Sequence, residues 1–221
     1  MLLTGQIDIG ILMAVSGPAT AGIYALASRI TDPLISIAFA YVNGFYPLLC
    51  TSFNEGRETF GQVCYRAVHL LALIIVPLAV CVSTQAHVLV NLLGGQRFAA
   101  ATIAVQLLMW AMVFTFFNQL GERICTAANR EHKVPIVTIV SAIVNLVLNG
   151  VLIPHWQMLG ASLTALISEA VGLSLFALLL RQHICLWLII RMLCLVILSN
   201  LPSLILLLWQ DHLPLLLSLP L

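Results

Sequence analysis

Residues 22–49 read GIYALASRITDPLISIAFAYVNGFYPLL. The run is long enough to cross a bilayer, which takes about 20 apolar residues. It nevertheless carries Arg29, Asp32 and Pro33 near its start, and Asn43 and Pro47 near its end. A charge at the centre of a span costs about 2.5–3.5 kcal/mol on insertion scales. A proline removes one helical hydrogen bond and frees the carbonyl four residues before it, which for Pro33 belongs to Arg29. Freed carbonyls at depth need protein or water as partners. The stretch therefore predicts a transmembrane helix whose polar side is turned away from lipid. Each proline marks either a hinge, as in broken transporter helices, or a tolerated kink.

The whole chain has this character. Of its 221 residues, 62% are hydrophobic and 8% charged, with a mean hydropathy of +1.10. Soluble domains carry roughly 25% charged residues. Long apolar runs without period-two alternation predict an all-α integral membrane protein rather than a barrel. The net charge of +1 offers no basic surface for nucleic acid. The six cysteines are scattered without a Cys-x-x-Cys pair, and the six histidines without metal-ligand spacing. The expectation is no metal site and no cofactor. GxxxxGK[ST], GxSxG and GxGxxG patterns are absent, so no catalytic residue is assigned and an enzyme is not expected. The start lacks the basic n-region of a signal peptide, and Gln6 and Asp8 interrupt its apolar run.

Apolar segments fall near 1–15, 22–50, 67–90, 99–127, 134–153, 160–180 and 184–208. They predict a bundle of about 6–7 transmembrane helices. Residues 1–183 form the bundle, and 184–221 add a further helix and an apolar tail. The first segment is short, so the chain is expected to be part of a longer polytopic protein. Connections near 54–66, 129–133 and 181–183 hold Arg57, Arg66, Arg130, Lys133 and Arg181, whereas the alternate connections hold only Arg97. The basic set is expected to face the cytoplasm. Arg191 falls inside the last segment and is expected to snorkel to the interface.

Helical spacing groups the buried polar residues into stripes. One holds Arg29, Asp32, Ser36 and Asn43. A second holds Thr115, Asn118, Glu122, Cys125 and Asn129, and a third Thr138, Ser141, Asn145 and Asn149. Ser162, Glu169 and Gly172 share a fourth face. Asp8 and Arg29 lie at similar depth in adjacent antiparallel segments, so the two can pair. Arg29 can instead pair with Asp32 on its own helix. Such charges either staple helices or line a hydrated pathway, and so many stripes favour the pathway. Arg29 and Arg123 are candidates for anionic groups, since a guanidinium fork matches phosphate. Asn43, Asn118 and Asn145 complete the candidate substrate wall. Asp8, Asp32, Glu122 and Glu169 are candidates for ion coupling or ion pairing. Ala161/Ala165 and Ser168/Gly172 read as close-packing positions.

Four stretches carry a family resemblance: IDIGILMAVSGPATAGIYALASRITDPL, FYPLLCTSFNEGRETF, AANREHKVPIVTIVSAIVNLVLNGVLIP and LGASLTALISEAVG. Together they resemble the second half of bacterial polysaccharide flippases of the multidrug/oligosaccharidyl-lipid/polysaccharide exporter superfamily. The resemblance spans roughly residues 5–180. It implies one lobe of a two-lobe bundle around a central cavity, in a multi-pass protein of the bacterial inner membrane. It also implies an undecaprenyl-pyrophosphate-linked oligosaccharide as substrate, flipped by alternating access. Expected partners are membrane lipid and either an N-terminal half or a second copy of the chain. Alternatives are a drug or cation antiporter of the same superfamily, a membrane-embedded enzyme of polysaccharide assembly, and a non-functional remnant. Short, nearly uncharged outer loops count against the enzyme.

Overall fold

The computed structural model describes residues 2–180, and every element in it is helical. Helix α1 (Leu2–Ser16) turns at Gly17 into α2 (Pro18–Glu55). Gly17 has φ 87° and Pro18 opens the next helix, a pairing that suits a tight reversal. A second positive-φ glycine, Gly56, leads into α3 (Arg57–Thr84). A break at Gln85 starts the short α4 (Ala86–Gly94), and a 3-10 turn then leads to α5 (Ala101–Ala127). Another 3-10 turn, Glu131–Lys133, opens α6 (Val134–Leu180). Gln157 is non-helical within α6, with φ 47° and ψ −121°. It divides α6 into two arms, 134–156 and 158–180. Asn145 donates to Ser168 across them, so the arms fold back on each other.

Helices α2, α3, α5 and α6 are long and apolar enough to cross a membrane, and α1 is a shorter apolar helix. With α6 doubled back into two apolar arms, the chain is an all-α membrane protein. The bundle is built on α5, which packs against α2, α3 and α6. Its side chains are buried nearly all round, including Met109, Trp110, Phe116 and Phe117. That pattern identifies an interior helix. Gly121 permits the close approach of α5 to the second arm of α6, since a Cβ there would sit 3.1 Å from Phe176. Helix α1 packs between α2 and α6.

Of the two readings of Pro33 and Pro47, hinge or tolerated kink, the fold shows the tolerated one: α2 runs helically through both, as α3 does through Pro77. Pro33 and Pro47 lie on the exposed side of α2. Two expectations need correction. The third segment starts earlier than 67 and ends earlier than 90. Phe60, Cys64, Ala67, Leu71 and Ile75 are buried at helical spacing, so the polar run RETFGQVCYR is already helix. The fifth and sixth segments meet at the bend of α6 rather than across a loop. The predicted helix over 184–208, its tail to 221, and Arg181 and Arg191 lie outside the described residues.

Span hydroxyls are largely satisfied by their own helix. Thr115 donates to the Ala111 carbonyl at 3.0 Å, Thr138 to Val134 at 3.1 Å and Ser162 to Met158 at 3.1 Å. That local bonding lets polar residues sit in apolar helices without a partner on another element.

Candidate functional site

Asp8 is buried, at 2% exposure, where α1 meets α2 and the first arm of α6. Asn149 Nδ2 donates to Asp8 Oδ1 at 2.5 Å and to Asn145 Oδ1 at 3.1 Å. Asn145 Nδ2 donates in turn to Ser168 Oγ at 3.4 Å, and Ser168 donates to the Ala165 carbonyl at 3.1 Å. The Tyr24 hydroxyl lies 3.5 Å from Asp8 Oδ2, at the limit of a hydrogen bond. One line of polar side chains thus runs from α1 through both arms of α6. Every partner of the Asp8 carboxylate in it is neutral.

Asn145 and Ser168 also line a cavity of about 410 Å³ between α2, α5 and α6. Its wall includes Asn118, Gln119, Glu122, Ser141 and Glu169, with Phe39 and Phe176 as apolar faces. Asn118 Nδ2 donates to Glu169 Oε2 at 2.6 Å and to the Glu169 carbonyl at 2.9 Å. Gly172 makes this convergence possible, since a Cβ there would meet Ser141 Oγ at 2.9 Å and Asn118 Nδ2 at 3.1 Å. No Arg, Lys or His is among the lining residues.

Several buried acceptors along this line have no protein partner: Asn149 Oδ1, Asn118 Oδ1 and Gln119 Oε1, with the Ser141 and Thr164 hydroxyls. An unsatisfied buried polar group costs about 1–3 kcal/mol. Carboxylate, amide and hydroxyl oxygens form a hard donor set, suited to a proton, a small hard cation or water. Among the described residues there is no group of three or more His, Cys, Asp or Glu side chains that would hold a metal ion.

The structure brings Asp8, Asn118, Asn145, Glu122 and Glu169 into this region. Arg29, Asp32 and Asn43 are instead exposed along the outer side of α2. The Asp8–Arg29 pair is not formed. The depths match, but the helix rotations differ, and Asp8 turns to Asn149 while Arg29 turns outward. Arg123 is half-buried, with its guanidinium carbon 5.8 Å from the centroid of the Tyr46 ring, a cation–π contact near the end of α5. Asn149 and Ser141 lay on the stripe of the first arm and were findable from its period. Tyr24 and Gln119 carried no such signal. Ser168 has the spacing of a packing position, and its hydroxyl also accepts from Asn145.

The geometry is thus a polar line inside an all-helical membrane bundle, ending at a cavity. A family model described as MatE matches residues 1–151. The chain belongs to the MatE family, whose members are membrane exporters rather than enzymes. An uncharacterized membrane protein of Methanocaldococcus jannaschii is 27% identical over 167 residues, which cover 72% of this chain and 33% of that protein. The chain thus spans about a third of the relative's length. No solved structure matches it.

Proposed function

We propose that the chain forms one helix bundle of an exporter for lipid-linked oligosaccharide in a bacterial inner membrane. The bundle works by alternating access, with the Asp8 cluster as its coupling site. The observation that carries the coupling role is the unbroken line Asp8–Asn149–Asn145–Ser168, which joins a buried carboxylate to the cavity. Protonation or cation capture at Asp8 changes what Asn149 can donate to, and Asn149 ties α1 to α6. A charge change there biases the packing of two helices against each other.

The substrate reading draws on the quoted motifs and on the face of α2. Arg29, Asp32 and Asn43 are exposed on a helix of spanning length. Charges are costly against lipid, so this face calls for a second wall or water. A second bundle, from a longer chain or a second copy, would enclose a central space in which Arg29 meets the substrate's pyrophosphate. The antiporter is the second reading. It is favoured by the cavity, which presents Glu122 and Glu169 without a basic residue and so suits a cationic solute.

Modification by dicyclohexylcarbodiimide tests the coupling role on the chain itself, because the reagent attacks protonated carboxyls in apolar surroundings. Peptide mapping should find Asp8 modified, and sodium ions or rising pH should protect it. Modification of Asp8 that no cation and no pH change affects would remove it from coupling.

A further inference from the structure

Helix α4 (Ala86–Gly94) is too short to cross a bilayer, which takes about 20 residues. Its residues sort into three sides at helical spacing. Ala86 and Val90 are buried against the bundle, where α4 packs on α5 and α2. His87, exposed, and Asn91 form a polar edge, with Asn91 Nδ2 3.1 Å from His87 Nε2. Val88, Leu92 and Leu93 form an exposed aliphatic edge, with Leu92 at 79% exposure. We propose that α4 is an interfacial helix whose partner is the bilayer surface. It lies along one leaflet, on the side of Gly17 and Gln157, with its aliphatic edge among acyl chains and its polar edge among headgroups.

The path of the chain supports this. Gln106 Nε2 donates to the Ser83 carbonyl at 3.1 Å, so the end of α3 is level with Gln106 on α5. A Cβ on Gly94 would sit 2.5 Å from Leu26 Cδ2, so the end of α4 is level with Leu26 on α2. Helices α2 and α5 pack side by side and meet again at Tyr46 and Arg123. At 1.5 Å per residue, Leu26 stands about 30 Å from that meeting point along α2, and Gln106 about 26 Å along α5. From Ser83 to Gly94 the chain therefore rises only about 4 Å, whereas an upright helix would rise about 16 Å. Helix α4 runs across the bundle rather than along it.

Continuity with α3 selects lipid as the occupant of the aliphatic edge. Helix α3 is of spanning length, and its exposed apolar side, with Leu70, Leu73 and Ile74, faces lipid. The Gln85 N–H bonds the Cys81 carbonyl at 3.1 Å and the Leu89 N–H bonds the Gln85 carbonyl at 3.0 Å, so helical register carries across the break. Val88 then follows Leu70, and Leu92 follows Ile74, after five whole turns at 3.6 residues per turn. The lipid-facing side of α3 thus runs on into the aliphatic edge of α4. An apolar face at the headgroup–acyl boundary with a polar edge above it is the arrangement of an interfacial helix.

Spin labelling of the full chain in phosphatidylglycerol/phosphatidylethanolamine vesicles tests the proposal, on a background without native cysteines. Nitroxides are placed singly through His87→Cys, Val88→Cys, Asn91→Cys and Leu92→Cys. Their relaxation by dissolved oxygen is compared with that by a water-soluble nickel chelate. Depth should follow the side of the helix, with an oxygen excess at Val88 and Leu92 and a nickel excess at His87 and Asn91. Depth that instead falls steadily along the chain, by about 6 Å from Val88 to Leu92 as in an upright helix, would overturn the proposal. A nickel excess at Leu92 would also overturn it and place the edge in water. Immobilised labels at Val88 and Leu92 that neither reagent reaches would overturn it in favour of a protein contact. Leu92→Trp in the otherwise native chain keeps the test decisive if the cysteine-free background fails to fold. After subtraction of the wild-type signal, lipid brominated near the headgroup should quench its fluorescence about twofold more than lipid brominated near the acyl ends. Equal or reversed quenching would contradict the interfacial placement.

Discussion

Asp8 and Arg29 sit at similar depth on neighbouring helices, and the fold turns one inward and the other outward. Depth was legible in the sequence, because it follows from counting residues along an antiparallel pair. Rotation was not, because a stripe shows which residues share a side but not which neighbour that side meets. The two residues should therefore respond differently to substitution. Asp8→Ala leaves the Asn149 amide short of a buried acceptor and should lower stability by about 1–3 kcal/mol. Asp8→Asn keeps an acceptor oxygen there and should cost less. Thermal unfolding in detergent checks the order, and equal stabilities would detach Asn149 from Asp8. Arg29→Ala, on an exposed face, should leave unfolding unchanged yet stop surface glycan assembly in the full transporter. Arg29→Lys should rescue it in part if charge alone matters, and poorly if the guanidinium fork matters. Normal glycan output from Arg29→Ala would remove Arg29 from the mechanism.

At the scale of elements, the regions where the chain breaks were readable from hydropathy, since Gly17, Gly56, Gly95, Asn129 and Gln157 all fall between the apolar segments, but which residue makes each turn was not. Prolines at 33 and 47, each a hinge or a tolerated kink by sequence, are absorbed by a continuous helix, as is Pro77 in α3. Gln157 and Asn129 carry the positive φ values among the non-glycine residues described, and of the two only asparagine favours that region by its chemistry. Asn129→Gly should be neutral or slightly stabilising, while Asn129→Val should cost about 1–2 kcal/mol in the left-handed region. At the bend of α6, a Cβ on Gly160 would overlap the backbone carbonyl of Leu152, whereas one on Gly150 would meet nothing within 4 Å. Gly160→Ala should destabilise by about 1–3 kcal/mol. Gly150→Ala should be neutral or gain up to about 1 kcal/mol. Equal melting temperatures for the two variants would contradict the bend. Orientation has its own check at the turn after α5, where Glu131 and His132 are exposed. On a background without native cysteines, Glu131→Cys should resist a membrane-impermeant thiol reagent added from outside. Strong labelling would reverse the assigned orientation.

For the molecule as a whole, the proposed transporter divides its work between the polar cavity and the exposed side of α2. The cavity lies between α2, α5 and α6. The Arg29 face looks outward and needs an opposing surface. The all-helical bundle and the meeting of the polar stripes of α5 and α6 were legible because each follows from period and length. The division between an inner site and an outer face was not, because it depends on how α2 is turned about its axis. The central claim is that this bundle supplies one wall and the coupling site of a transporter. The most direct test is translocation of fluorescent lipid-linked oligosaccharide in liposomes, read as protection from an external quencher. A single copy of the chain per liposome should translocate nothing. With a complementary six-span bundle co-reconstituted it should translocate in a gradient-dependent way, and Asp8→Asn should abolish that dependence. Substrate-specific translocation by the chain alone, at the rate of a full-length flippase and unaffected by Asp8→Asn, would contradict the account.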